Sequence, residues 1–184
     1  MEEDKQLYTF LVYSENVAGI LNQITAVFTR RQVNIESLNV SASSIEGLHK
    51  YTITAWCYAD QVIKITRQID KKIDVVKVNY YIDSELFIRE TGLYKLSSPE
   101  VLANPEISRT VRRNDAYITE VNPIYVIVMK NGRTEEIMDL YRDLDKFGCV
   151  LQYTRSGRIA VTRSTEEEVS QYLEQREKEK NQER

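Results

Sequence analysis

The stretch LYTFLVYSENVAGILNQITAVFTRRQVNIESL, residues 7–38, decides the fold of this chain. Leu7 to Tyr13 is aromatic and β-rich and reads as a strand. Val17, Ile20, Leu21, Ile24, Val27 and Phe28 then recur at helical spacing, with Asn22, Gln23, Thr25, Thr29 and Arg30 on the opposite side. That pattern predicts a helix from Ile20 to Arg31 with one side on a sheet. The polar, glycine-containing loop Glu15-Asn16-Val17-Ala18-Gly19 sits at the helix N-terminus, where unpaired backbone N–H groups and the helix dipole attract anions. Asn34 opens the next strand and offers an amide that both donates and accepts. An anion seat and a two-way amide suit the zwitterionic head of a free amino acid. Each residue also has a plain structural role open to it: Gly19 for close packing, Asn16 as a cap or turn residue, Asn34 to shape the turn.

Working outward, Asn34 to Ser44 and His49 to Tyr58 alternate and predict a hairpin. Asp60 is placed to cap a helix striped by Val62, Ile65, Ile69 and Ile73, and Val75 to Ile82 is a further strand. The order β-α-β-β-α-β with short connections is the ferredoxin-like, two-layer α+β arrangement. A weaker second copy follows. Leu86 to Leu96 reads as a strand bent near Gly92. Ser98-Pro99 and Asn104-Pro105 punctuate a loop or broken helix, and Glu106 to Arg113 is a short helix. Tyr117 to Val121 and Ile124 to Met129 are strands. Thr134 is placed to cap a helix with Ile137, Leu140, Tyr141, Leu144 and Phe147 inward, closed by Gly148. Cys149 to Tyr153 and Arg158 to Thr162 complete the copy around a Ser156-Gly157 turn. The expected domains are 1–83, 84–164 and a charged, helical or frayed tail at 165–184.

The totals exclude several classes. The chain has 184 residues, 42% apolar and 29% charged, with a net charge of -3. No run approaches the roughly 20 apolar residues of a membrane span. The acidic start Met1-Glu2-Glu3-Asp4 is unlike a signal or transit peptide, so a cytoplasmic location is expected. Two distant cysteines, Cys57 and Cys149, lie outside any CxxC pattern and read as reduced structural thiols. One histidine and six glycines leave little material for a catalytic triad, a multi-histidine metal site or a nucleotide cradle. The chain is therefore read as non-catalytic and metal-free. Twelve tyrosines raise an RNA-binding reading through Tyr8, Phe10 and Tyr51. The RNP1 pattern is missing, however, and the chain is acidic, so nucleic acid is not expected.

At EN-x-x-G-x-L (Glu15 to Leu21), Asn34-Ile35-Glu36-Ser37-Leu38 and Thr154-Arg155-Ser156-Gly157-Arg158-Ile159-Ala160, the sequence resembles the regulatory small subunit of acetolactate synthase. The first module of that family is an ACT domain. The resemblance spans roughly Leu7 to Arg163. It implies a homodimer through ACT domains, with valine or a related branched-chain amino acid at the dimer interface. Asn16 and Gly19 match the effector loop of one subunit, and Asn34 matches the asparagine contributed by the other. Val17, Ile20 and Ile35 are carried over as walls of the aliphatic pocket. The resemblance further implies a catalytic large subunit as partner, which holds thiamine diphosphate, Mg and usually FAD; this chain is expected to hold none of them. A free-standing amino-acid-sensing ACT regulator of another enzyme is the alternative reading. Gln32 departs from the family, which often has glycine there, and the Asn104-Pro105 stretch and the polar tail depart as well.

Overall fold

The computed structural model describes residues 5–164 and 169–174. In chain order the elements are β1 (Gln6–Glu15), α1 (Ile20–Arg30), β2 (Ile35–Ala42), β3 (Leu48–Cys57), α2 (Ala59–Asp70), β4 (Val75–Tyr81), β5 (Leu86–Ser97), α3 (Ser98–Ala103), α4 (Pro105–Arg113), β6 (Tyr117–Val121), β7 (Tyr125–Gly132), α5 (Thr134–Asp145), β8 (Val150–Arg155) and β9 (Ile159–Thr162). These residues form two compact units, one of 5–87 with 160–164 and 169–174, the other of 88–159.

In the first unit the sheet order is β2-β3-β1-β4, every neighbour pair antiparallel. Strand alternation sorts the side chains between two faces. Phe10 and Val12 of β1, Tyr51, Ile53, Ala55 and Cys57 of β3, and Val78 of β4 join one core with Ile20, Ile24, Val27 and Phe28 of α1 and Val62, Ile65 and Ile69 of α2. Phe10 meets Phe28 edge to face, with centroids 5.2 Å apart. Phe10 and Tyr51 are core residues, and Tyr8 packs against that core.

α1 ends in a Schellman closure. Val33 N donates to the Phe28 carbonyl at 3.1 Å and Gln32 N to the Thr29 carbonyl at 3.0 Å, with Gln32 in the left-handed region at φ 53°. Two expected caps differ. The residue preceding α2 is Tyr58, and Asp60 lies inside the first turn, paired with Lys64 at 2.7 Å. Asp60 stands two residues past the cap position.

The second unit repeats the plan, with sheet order β6-β7-β5-β8 and β9 pairing with β5. Its core joins Tyr94, Leu96, Val126, Val128 and Cys149 with Ile107 and Val111 of α4 and Ile137, Leu140 and Leu144 of α5. The expected broken helix is α3 and α4 divided at Asn104-Pro105, with the Asn104 side chain accepting from Glu106 N at 3.0 Å. The register of β5 shifts between Lys95 and Leu96, not at Gly92. Gly92 serves close packing instead: a Cβ there would lie 2.7 Å from Ile137 Cγ2 and 2.9 Å from the Tyr94 hydroxyl. α5 is preceded by Arg133, and Thr134 is its first residue. The Thr134 hydroxyl points away from the helix backbone and donates to Glu90 Oε1 at 2.5 Å.

Residues 169–174 are helical, with Val169 buried and Lys77 Nζ 5.4 Å from the Tyr172 ring centroid. The other tail residues, 165–168 and 175–184, lie outside the described residues. Among the described residues no helix is long and apolar enough to cross a membrane.

Candidate functional site

The loop between β1 and α1 is shaped by its own backbone. Asn16 N donates to the Gly47 carbonyl at 3.2 Å, which anchors the loop to the β2–β3 turn. Val17 N donates to the Glu15 carbonyl at 3.0 Å, and Gly19 follows at φ 87° as the residue before α1. Gly19 brings no side-chain cap, and the first helical-pattern bond is Gln23 N to the Gly19 carbonyl at 3.1 Å. The N–H groups of Leu21 and Asn22 come before that bond, so no turn of the helix precedes them to accept their hydrogens. No acidic residue occupies the first turn of α1 to offset the dipole. The first turn of α1 thus carries N–H donors with no acidic neighbour, and the space where a Gly19 side chain would stand is open.

The sequence-predicted residues divide into two groups. Asn16, Val17 and Gly19 share this loop and are exposed. Ile20 belongs to the same turn, but its side chain is 3% exposed and lies in the core, so it presents only its backbone. Asn34 and Ile35 stand at the other end of the sheet. β1 and β2 are both antiparallel to β3 and hence parallel to each other. Ile35 is level with Ala55 and so with Tyr8, seven positions below Glu15. At the rise of a strand that is about 23 Å. One chain thus keeps Asn34 away from Asn16. Ile35 packs partly against the core, and Asn34 is exposed.

Spacing places Leu21 with the inward residues of α1, yet it is 42% exposed beside Val17 at 38%. Two aliphatic side chains flank the free N–H groups, an arrangement suited to an amino acid with a branched apolar side chain. Spacing alone does not show this outward placement of Leu21, since the adjacent pair Val27 and Phe28 on the same helix are both buried. β2 is an edge strand with one free side, and its register shifts between Ile35 and Ser37. No group of three or more metal-ligating side chains occurs among the described residues.

Sequence reasoning also passed over a polar cluster in the second unit. The Glu90 carboxylate has no exposed side-chain surface. It accepts from Thr134 Oγ1 at 2.5 Å and from Arg155 Nη1 at 3.2 Å, and Arg158 Nε lies 3.7 Å from it. Arg158 Nε also donates to Thr134 Oγ1 at 3.1 Å. Two of these residues sit in the Thr154 to Ala160 stretch that carries the resemblance; Glu90 is 65 residues upstream of Arg155 and gave no local signal.

Two consecutive ferredoxin-like units, the first matching an ACT-domain family, define a tandem ferredoxin-like protein of the ACT class. Residues 10–77 match the family described as the AHAS small subunit-like ACT domain, and residues 89–164 match the small subunit of acetolactate synthase. The acetolactate synthase small subunit of Bacillus subtilis (strain 168) is 30% identical over 168 residues, covering 90% of this chain and 95% of that protein. The probable acetolactate synthase small subunit of Methanothermobacter thermautotrophicus is 30% identical over 165 residues, covering 90% and 96%. The crystal structure of the small subunit from Thermotoga maritima superposes with a TM-score of 0.78 at 23% identity, over 88% of this chain and 99% of that one, and shares the fold. The chain belongs to the acetolactate synthase small-subunit family.

Proposed function

We propose that this chain is the regulatory subunit of an acetolactate synthase. It binds the catalytic large subunit, raises its activity and confers feedback inhibition by a branched-chain amino acid, valine first. The observation that carries this reading is the relationship along nearly the whole chain to acetolactate synthase small subunits. Thiamine diphosphate, Mg and FAD belong to the catalytic partner in this reading.

The effector site lies between two copies of the first unit. Adding a second β2 antiparallel to the open edge of the first, across a two-fold axis, brings the partner's Asn34 to the end of the sheet that holds Asn16 and Gly19. The residues that one chain holds about 23 Å apart along the strands then share one end of the joined sheet. The effector carboxylate sits on the α1 N-terminus, the asparagines hold its ammonium and carboxylate, and Val17 and Leu21 cover its side chain. Inhibition requires that the effector bind the inhibited arrangement more tightly than the active one. A coupling of about 1–3 kcal/mol gives a 5–150-fold effect.

The test is acetolactate formation by the matching catalytic subunit, with and without this chain, across a valine titration. The expected result is stimulation without valine and saturable loss of that activity with it. In calorimetry, Asn16→Ala should weaken valine about tenfold, since a hydrogen bond to a charged group contributes about 1.5–3 kcal/mol. Gly19→Asp places a like charge at the carboxylate seat and should weaken it further. Parent-like binding in both variants removes the site.

A further inference from the structure

The TRSGR stretch has no part in the effector site, and its two arginines converge on a buried carboxylate. Glu90, Thr134, Arg155 and Arg158 all belong to the second unit. Taking a carboxylate and guanidinium groups out of water costs free energy that their mutual attraction offsets incompletely, and apolar residues of similar volume often do as well or better. Stability alone is a poor reason to keep such a cluster. Its position supplies a better one. Arg158 is the residue before β9, and β9 is where the chain returns: Ile159 belongs to the second unit and Ala160 to the first. The outward passage is in β5, between Phe87 and Ile88, and β9 pairs with β5. Glu90 lies on that same strand, two residues past the passage. On the first-unit side the end of β9 is tied as well. Arg163 N donates to the Glu85 carbonyl at 3.0 Å and its Nε to the Leu86 carbonyl at 3.2 Å. The Arg163 bonds thus lie on the first-unit side of the β5–β9 pair, and the buried Glu90 carboxylate lies on the second-unit side.

We propose that Glu90 is a positioning residue for allosteric coupling: with Arg155, Arg158 and Thr134 it fixes the second-unit end of the β5–β9 connection, and through that connection effector binding in the first unit reaches the catalytic partner. This rests on the regulatory reading above. The four residues belong to the second unit and the loop before α1 and Asn34 to the first, so loosening the cluster separates binding from inhibition.

The experiment uses the full chain with the matching catalytic subunit and valine as probe. Glu90→Gln keeps the side chain's shape and removes the charge that both arginines share. The expected result is valine affinity within about twofold of the parent by calorimetry and stimulation of the catalytic subunit retained. The inhibited fraction at saturating valine should fall by more than half. If Glu90→Gln does not fold, Arg155→Gln, whose side chain is partly exposed, and Thr134→Val carry the same expectation, and Arg155→Lys should restore part of the inhibition. Inhibition that follows bound valine as in the parent overturns the proposal, as does loss of valine binding in step with inhibition. A parent chain that binds no valine overturns the regulatory reading and this proposal with it, so the two failures are told apart by the parent.

Discussion

Gln32 holds a conformation that an L residue adopts at a cost of about 1–2 kcal/mol, and glycine adopts freely. It closes the Schellman turn that delivers the chain from α1 into Asn34. Replacing it with glycine, the residue the family often has, removes the strain but adds freedom to the unfolded chain. Gln32→Gly should therefore raise stability modestly, by about 0.5–1 kcal/mol in urea denaturation, without altering the strand that follows. The cysteines make a second case at this scale. Burial pushes the Cys57 thiol up to about 11 and raises that of Cys149 too. The thiolate is the reactive form. Neither cysteine should react with a disulfide reagent at pH 8 until the protein is unfolded, when both should titrate. Because the folded pKa of Cys57 lies above its ordinary value of 9.0, the unfolded state releases that proton first, and stability should decline as pH rises from about 9 to about 11.

Among the elements, β2 carries the most consequence, since it is the free edge of the first sheet and the proposed seam between copies. Val40 is exposed on it, 38% open to solvent. A lysine on an edge strand discourages pairing with another chain. Val40→Lys should weaken dimerisation at least about tenfold by sedimentation, and valine binding should fall in parallel while the fold of the single chain persists. The elements themselves were largely legible from alternation and helical spacing, because both sheets bury one face against amphipathic helices and the pattern follows from that burial. Cap identities were less legible. Asp60 and Thr134 are favourable cap residues by type, yet Tyr58 and Arg133 precede the helices, and Thr134 is taken up by Glu90. A tertiary partner 44 residues away overrides a local preference and leaves no mark in the neighbouring sequence. The loop before α1 was readable because its conformation is local to Asn16 and Gly19. The inward burial of Ile20 and the outward display of Leu21 depend on the phase of one helix turn, which spacing alone fixed only for Ile20.

At the scale of the whole molecule, the first unit includes residues from the far end of the sequence. Lys50 Nζ donates to the Ala160 carbonyl at 2.9 Å, Arg163 reaches Glu85 and Leu86, and Val169 is buried. Full burial of one valine contributes about 1.5–3 kcal/mol and each hydrogen bond about 1 kcal/mol. A chain ending at Ile159 should lose at least about 2 kcal/mol, read as a lower urea midpoint. Domain limits drawn along the sequence place these residues with the second module or the tail. Their return to the first unit rests on long-range contacts that periodicity does not encode.

That return sets an order of events while the protein is being made. The polypeptide leaves the ribosome from its N-terminus at about 5–20 residues per second. Residues 88–159 therefore emerge before Ala160 and Val169 arrive to finish the unit that was started first. The nascent first sheet waits several seconds with its edge strands complete and its last contacts missing. In that interval its missing contacts leave it open to capture by a chaperone or by a neighbouring nascent copy.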